Sequence, residues 1–288
     1  MGLRRNNKVL YFECSAGISG DMVLGALIHL GVDAEELKRT LAGLNIGPFN
    51  LVPNYVSRSG VAGVDLQVLI YDEPQHDHDY DLVGESEDAG ATPPYPAEHD
   101  HEHLIKAHDE RCKHTHTTYR QIKSLIENSG LSAVAKRMAV DIFTVIGKAE
   151  AAVHGKGLED VTFHEVGAMD SILDIVGTAV AVERLGAEKI LCGPVHDGQG
   201  VIECRHGLIP VPVPAVMEML KDSDIPIIVE TEVATEMVTP TGFGILKGLK
   251  AEFRPTVGLR PEKVGYGFGK RVTGRFGAVR AIFGEEYA

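Results

Sequence analysis

Residues 8–30 read KVLYFECSAGISGDMVLGALIHL, and this stretch decides the fold of the chain. Lys8–Cys14 is a short apolar β-type run, the small turn SAGISG follows it, and residues 21–30 have the apolar periodicity of a helix. The stretch therefore predicts a strand, a tight loop and a helix. Such a loop directs backbone N–H groups toward whatever lies at the helix N-terminus, where Asp21 either caps the helix or ligates a cation.

Strand-like and helical segments alternate along the rest of the chain. The alternating runs 50–56 and 64–71, joined through SRSGVAG, predict a hairpin or neighbouring strands. The glycine-rich run VGYGFGKR, residues 264–271, is interpreted as a β-turn region with little phosphate-binding character. Helices are predicted over 34–44, 118–128, 133–154, 171–185 and a segment ending at 220, and strands over 189–195, 200–204 and 225–230. This alternation favours an α/β (or α+β) layered mixed fold.

A histidine-rich acidic tract interrupts that pattern at residues 73–116. It carries twelve acidic residues, three basic residues and eight of the thirteen histidines of the chain. The histidines are His76, His78, His99, His101, His103, His108, His114 and His116. Several stand in H-x-H spacing, and neutral imidazole suits Ni(II), Cu(II), Zn(II) and Fe(II), so the tract predicts a flexible metal-binding insert. A solvated linker with incidental metal affinity is the alternative interpretation. The tract divides the chain into an N-terminal α/β part (1–72), the insert (73–116) and the remainder of the core domain (117–288).

Charge and composition exclude several classes of partner. The tract contributes −9 of the formal net charge of −13, and the clustered Lys and Arg needed to neutralise nucleic acid phosphates are absent. No apolar run approaches the roughly 20 residues of a membrane span, and the N-terminus lacks a signal-peptide pattern. The four cysteines form no C-x-x-C pair. We therefore expect a cytoplasmic protein that binds neither nucleic acid nor membrane.

The string FHEVGAMDSILDIVG, residues 163–177, has the greatest density of chemically active side chains outside the tract. Asp170 and Asp174 share one helix face at a spacing of four, and His164 and Glu165 precede them across a Gly-Ala turn. An imidazole and up to three carboxylates can thus converge to bind a divalent cation or act as a general acid or base. With Asp21 they form the predicted catalytic set. The alternative is that Asp170 caps the helix and His164 satisfies a buried hydrogen bond.

Three further strings are typical of site loops and supply the predicted substrate-binding residues. His196 lies in GPVHDGQG (193–200), and Arg205 and His206 lie in ECRHG before a proline-rich run. Thr239 and Thr241 flank a proline in VTPTGFGIL (238–246), which can present hydroxyl and N–H groups to an anion. Helix capping by threonine explains this last string equally well. There is no P-loop string.

Taken together, these motifs resemble the nickel insertion protein (LarC) family. The similarity rests on YFECSAGISGDMVLGALIHLG, HTHTTYRQIKSLIENSGLS, AEAAVHG, FHEVGAMDSILDIVG, HGLIPVPVPA and VTPTGFGIL, and it spans nearly the whole chain. The resemblance implies a lyase-type cyclometallase of the nickel chelatase class. Such enzymes place Ni(II) into pyridinium-3,5-bisthiocarboxylic acid mononucleotide to complete the nickel-pincer cofactor of lactate racemase, with CTP as co-substrate and Mg(II) or Mn(II) required.

The resemblance also implies partners. Full-length members of the family carry a further C-terminal domain associated with CTP, so we expect this chain to need such a domain or subunit, and to act with the lactate racemase maturation proteins. The sequence is also compatible with a homo-oligomer. Two alternatives from other classes stay open: a non-catalytic nickel delivery protein that uses only the tract, and a Mg-dependent phosphohydrolase-like enzyme that uses Asp21, Asp170 and Asp174.

Overall fold

An eight-stranded mixed β-sheet is the centre of the computed structural model, which describes residues 8–71, 117–163, 169–204 and 207–287. Numbered in chain order within these ranges, the strands are β1 (Lys8–Cys14), β2 (Phe49–Arg58), β3 (Val61–Ile70), β4 (Thr117–Thr118), β5 (Thr162–Phe163), β6 (Lys189–Asp197), β7 (Gly200–Cys204), β8 (Gly207–Val211), β9 (Ile227–Val229), β10 (Glu252–Phe253), β11 (Leu259–Phe268) and β12 (Ala278–Glu286). The helices are α1 (Gly20–His29), α2 (Ala34–Leu41), α3 (Tyr119–Glu127), α4 (Ala133–His154), α5 (Met169–Leu185), α6 (Pro214–Leu220) and α7 (Pro240–Gly248).

The sheet draws its strands from both sides of residues 72–116. Its order is β10-β6-β1-β12-β11-β3-β2, and β9 pairs with β6. Strand β1 runs parallel to β6 and antiparallel to β12, so the start of β12 lies beside the carboxyl end of β1. Separate two-stranded ladders join β4 to β5 and β7 to β8. The predicted mixed α/β class is confirmed, and so are the strand, loop and helix of residues 8–30.

Helix α1 packs with its backbone directly against β11. A Cβ atom on Gly267 would lie 1.8 Å from the Met22 carbonyl oxygen, and one on Gly265 would lie 2.2 Å from that of Ala26. Only glycine permits so close an approach of helix and strand. The interpretation of residues 264–271 as a β-turn region is therefore wrong for 264–268, which belong to β11, whereas 269–271 lie in the loop after it. Alternation of glycine with larger residues is the pattern of a strand that has one face under a helix.

The strands β2 and β3 form the predicted hairpin, and they are longer than the alternating runs indicated. Ser59 and Gly60 are the two residues of the turn, with φ angles of 51° and 78°. Positive φ at both central positions gives a turn whose twist matches that of the flanking strands. Part of SRSGVAG therefore belongs to the ladder itself.

A second layer of helices packs on α1 and positions the site. Helix α5 contacts both α1 and α4, and α7 lies against α4, where Cβ atoms at Gly244 and Gly248 would overlap Ile146 and Ile142. Helix α5 begins at Met169 rather than at the predicted residue 171, which places Asp170 in its first turn. Helix α2 ends at Leu41 and continues as a 3₁₀ turn to residue 44.

The predicted insert, with all eight of its histidines, lies outside the described residues, and its flexibility and metal binding stay predictions. In the ranges that the structure describes, no helix combines the length and apolar character needed to cross a bilayer.

Candidate functional site

An open cleft lies where the carboxyl end of β1 meets the first turn of α1, the segment before α7 and the loop between β11 and β12. Ligands of open α/β sheets bind at such carboxyl ends. The residues that line the cleft are Ala16, Ser19, Asp21, Met22, Glu236, Met237, Thr239, Gly269, Lys270, Arg271, Thr273 and Gly277.

Asp21 is the predicted catalytic residue that the structure places in this cleft. Its Oδ1 accepts a hydrogen bond from the Met22 N–H at 2.9 Å and another from the Ser19 hydroxyl. Ser19 occupies the N-cap position, so Asp21 is not the helix cap. Burial raises the pKa of Asp21, while the Ser19 hydrogen bond and the charge of Lys270 oppose that rise. A carboxylate with a raised pKa is a better proton acceptor near neutral pH than an ordinary surface aspartate.

Asp174 lies directly behind the first turn of α1. A Cβ atom on Gly20 would lie 2.9 Å from the Asp174 Cβ, so glycine at the start of α1 lets helix and aspartate meet. Asp174 is buried, and its Oδ1 has no hydrogen-bond partner among the residues that the structure describes. Burial raises the pKa of Asp174 well above its usual value, and the negative charges of Asp21 and Asp170 raise it further. Asp21 and Asp174 therefore form an electrostatically coupled carboxylate pair.

Asp170 has a different environment from that of Asp174, although the two share one helix. It is exposed in the first turn of α5, and its Oδ1 accepts from the Ser171 N–H at 2.8 Å. No three His, Cys, Asp or Glu side chains gather around one metal position within residues 8–71, 117–163, 169–204 and 207–287. The described carboxylates thus form a pair rather than a three-ligand cluster.

Two cations from the β11–β12 loop, Lys270 and Arg271, also line the cleft. Lys270 pairs with Asp65 and donates to the Leu66 carbonyl oxygen at 2.7 Å. Arg271 Nη1 lies 2.7 Å from Glu236 Oε2 and donates to the Glu236 carbonyl oxygen at 2.8 Å. These contacts hold both cations at the cleft, where they can face an anionic substrate group.

Asp197, at the end of β6, holds the cleft-lining segment before α7 in place. It is fully buried, and its Oδ1 accepts from the N–H groups of Gly198, Met237 and Val238 at 2.8, 2.7 and 3.1 Å. Met237 in turn accepts from the Ile18 N–H at 2.9 Å. Burial raises the pKa of Asp197 and these backbone hydrogen bonds oppose the rise. One carboxylate thus connects β6 to the segment before α7, which in turn contacts the loop before α1.

His196 is oriented by a carboxylate beside the cleft. Its Nδ1 lies 2.6 Å from Glu230 Oε1, and Glu230 Oε2 lies 2.6 Å from Arg275 Nη2. The hydrogen bond from His196 lowers the pKa of Glu230, and Arg275 lowers it further. Arg275 also donates to the Ser15 carbonyl oxygen at 3.4 Å, next to the cleft-lining Ala16.

Of the two threonines predicted to bind substrate, Thr239 lies at the cleft and Thr241 is buried. Thr239 lines the cleft and is the N-cap of α7, where its hydroxyl accepts from the Gly242 N–H at 3.2 Å. Thr241 is buried, with its Oγ1 2.8 Å from that of Thr239. The capping interpretation of this string is therefore correct for Thr239, and a role in anion binding stays a prediction.

The remaining predicted site residues cannot be placed. His164, Glu165, Arg205 and His206 lie outside the described residues.

Sequence reasoning missed several side chains of the site, namely Ser19, Glu230, Glu236, Lys270, Arg271 and Arg275. One sequence signal could have indicated Lys270 and Arg271. Glycine alternates with larger residues at 264–268, which is typical of a strand packed under a helix, and the two cations follow directly after the end of that strand.

Known proteins of one family match this chain along nearly its whole length. The sequence profile of the family described as nickel insertion protein matches residues 10–288. A protein of Acetivibrio thermocellus is 45% identical over 277 residues, which are 96% of this chain and 60% of that protein. A protein of Lactiplantibacillus plantarum is 41% identical over 280 residues, or 97% of this chain and 62% of that protein. Both are named pyridinium-3,5-bisthiocarboxylic acid mononucleotide nickel insertion protein.

A protein of Wolinella succinogenes, named putative nickel insertion protein, is 39% identical over 265 residues, which are 92% of this chain and 57% of that protein. The chain therefore spans about three fifths of the length of these relatives. No solved structure matches it.

Proposed function

This chain belongs to the nickel insertion protein family, and from that premise we propose that it takes part in inserting Ni(II) into pyridinium-3,5-bisthiocarboxylic acid mononucleotide. The names of its relatives support both the metal and the substrate. We propose that it forms the N-terminal part of a CTP-dependent cyclometallase of the lyase class and that nickel is its cargo.

The observation that carries the proposal is the coupled pair Asp21 and Asp174 at a cleft whose other wall is cationic. Metal–carbon bond formation needs a base. In this reaction the pyridinium C–H proton passes to the Asp21 carboxylate, and the electron pair left on carbon forms the bond to Ni(II). The two thiocarboxylate sulfur atoms supply the other two bonds. Asp174 acts through Asp21: the charge of Asp21 helps to keep Asp174 protonated, and the neutral Asp174 carboxyl packs behind the first turn of α1, which carries the base.

The cationic wall gives the substrate its orientation. A mononucleotide carries a phosphate, and Lys270 and Arg271 can bind its oxygens while Ser19 and the N-terminus of α1 offer further donors. The ring is then directed toward Asp21. Thr239 and His196, predicted to bind substrate, lie at and beside the same cleft.

Metal capture is proposed for the tract at residues 73–116, whose histidines would raise the local concentration of Ni(II). The resemblance also implies a requirement for Mg(II) or Mn(II). The described residues contain no group of three ligands around one point, so they do not fit a dedicated site of that kind, and no step is assigned to it.

The test is reconstitution. We expect Asp21→Asn to abolish Ni(II) insertion, followed as activation of lactate racemase, while the precursor still binds. The matched control is Asp160→Asn, which changes an exposed carboxylate that pairs with Arg120 and is not among the residues that line the cleft. Insertion by wild-type protein should also fall as pH falls through the raised pKa of Asp21, because the base becomes protonated. Full activity of Asp21→Asn would refute the assignment.

A second arm tests the division of labour. We expect the chain alone to bind Ni(II) and the precursor without hydrolysing CTP, and a separately supplied C-terminal domain to restore turnover. CTP-dependent activation by this chain alone would show instead that the nucleotide site lies within residues 1–288.

A further inference from the structure

Arg271 and Glu236 form an ion pair in the cleft, and the two partners are unequally exposed. The Glu236 side chain is 7% exposed, whereas that of Arg271 is 47% exposed. Arg271 Nη1 lies 2.7 Å from Glu236 Oε2 and also donates to the Glu236 carbonyl oxygen at 2.8 Å. One nitrogen of the guanidinium is therefore held by both the side chain and the main chain of a single residue.

The rest of the Arg271 guanidinium stays available to a ligand of the cleft. A guanidinium has five N–H groups in one plane, and Nη1 carries two of them. Among the residues that the structure describes, Nε and Nη2 of Arg271 make no hydrogen bond. The Nε–H and one Nη2–H lie parallel on one edge of the group, and such an edge can bind two oxygens of a phosphate at once. Arg271 thus brings a preformed phosphate-binding edge to the cleft.

The main chain next to Glu236 is anchored as well. Met237 and Val238 donate their N–H groups to the buried carboxylate of Asp197. An arginine side chain that is free in solution loses rotamer freedom when it binds a ligand, and this loss weakens binding. Because two contacts to Glu236 already hold Arg271, much of that loss occurs before the ligand arrives.

Lys270 lacks this kind of recognition, although it lines the same cleft. Its ammonium group pairs with Asp65 and donates to the Leu66 carbonyl oxygen. An ammonium group is a compact point charge without a planar fork. Lys270 therefore adds positive charge to the cleft, but it does not provide the paired donors that fit two phosphate oxygens.

From this arrangement we propose that Arg271 makes the cleft select a nucleoside monophosphate over the corresponding nucleoside, and that Glu236 is the positioning residue of Arg271. The identity of the nucleotide as the pyridinium precursor rests on the proposed function. A hydroxyl group in place of the phosphate offers the Nε–Nη2 edge one neutral oxygen instead of two charged ones. Glu236 acts by placement rather than by charge, since its negative charge alone would repel a phosphate.

The first test measures binding and requires no insertion. The full chain is titrated with the precursor and with the same compound after removal of its phosphate. Arg271→Lys keeps the charge but removes the fork, so it should weaken precursor binding about tenfold or more, an effect of about 1.4 kcal/mol. The Kd of the dephosphorylated compound should stay unchanged. Equal losses for both compounds, no loss, or no binding of the precursor to wild-type protein would overturn the proposal.

The matched control is Arg254→Lys. Arg254 pairs with Glu252 at 2.6 Å and is not among the residues that line the cleft. This variant also exchanges a paired arginine for lysine, and it should bind both compounds as wild-type protein does. Unfolding curves of each variant verify that the fold is intact.

Glu236→Gln decides how Glu236 acts, because the two possible roles predict changes of opposite sign. The substitution removes a negative charge and keeps the shape, so a purely electrostatic role predicts tighter binding of the precursor. Positioning of Arg271 predicts weaker binding, by about threefold or more, with the dephosphorylated compound unaffected. Tighter or unchanged binding of the precursor would overturn the positioning role. Arg271→Lys tests the phosphate-binding edge independently of this variant.

An insertion assay separates this proposal from the proposed function. Binding that depends on Arg271 and on the phosphate, without any insertion of Ni(II), would establish the selectivity and refute the proposed function. Equally efficient insertion into the precursor and into its dephosphorylated form would overturn the selectivity and leave the proposed function intact.

Discussion

Replacement of Asp197 by alanine is the sharpest test of how the cleft is held together. The Asp197 Oδ1 accepts three backbone N–H groups, those of Gly198, Met237 and Val238, and all four residues are buried. Asp197→Ala removes the acceptor, and the alanine side chain has no atom that could accept hydrogen bonds from the three N–H groups. Segment 236–239, which lines the cleft, then loses its connection to β6.

The size of the effect follows from those three donors. A buried donor left without a partner costs about 1–3 kcal/mol. Removal of the buried charge returns part of that cost, because burial raises the pKa of Asp197 and so disfavours its ionised form in the folded protein. We therefore expect Asp197→Ala to lower the free energy of unfolding by about 3–5 kcal/mol. That is a large fraction of the roughly 5–15 kcal/mol by which proteins are stable.

Asp197→Asn is the matched control, because its amide oxygen can still accept the three hydrogen bonds. We expect a loss of only about 1 kcal/mol for this variant. Urea unfolding measures both values, and hydrogen exchange at the Met237 and Val238 amides locates the change. If Asp197→Ala loses less than about 1 kcal/mol, or if the two variants are equally stable, the carboxylate does not hold the segment and the argument fails.

The other predictions concern charge, packing and metal capture. Asp174→Asn should raise the free energy of unfolding near neutral pH, because it removes a buried ionisable carboxyl. The gain should shrink as pH falls through the raised folded-state pKa of Asp174 toward the ordinary value of 3.8, and equal denaturation curves at all pH values would contradict it. Gly267→Ala should destabilise strongly, because its Cβ would lie 1.8 Å from the Met22 carbonyl oxygen. Gly157→Ala should be nearly neutral in thermal unfolding, because its Cβ would make only an ordinary contact, 3.9 Å from Asp160 Oδ2. A variant that lacks residues 73–116 should bind far less Ni(II) than wild-type protein in parallel titrations. Binding to the intact chain should weaken below about pH 6.5, where imidazole becomes protonated. Equal stoichiometry in both proteins would refute the role of the tract.

Local features of the fold could be predicted because they depend on residues that are neighbours in the sequence. The strand, loop and helix of residues 8–30, the β2–β3 hairpin and helix α4 follow from apolar periodicity and turn residues within short windows. The placement of Asp21 at a helix start beside a tight loop follows in the same way. The family was recognisable too, since its motifs are collinear strings.

The sequence alone thus determined most element types, the mixed α/β class and the position of Asp21 in the first turn of a helix, because each depends on short-range patterns. Only the tertiary structure decided that Asp174 lies behind α1, that Lys270 and Arg271 line the same cleft as Asp21, and that Glu230 orients His196. The pairing of β1 with β12 brings the last loop of the chain to the first. Such pairing between distant segments is selected by the packing of the whole core, and no short stretch of residues encodes it.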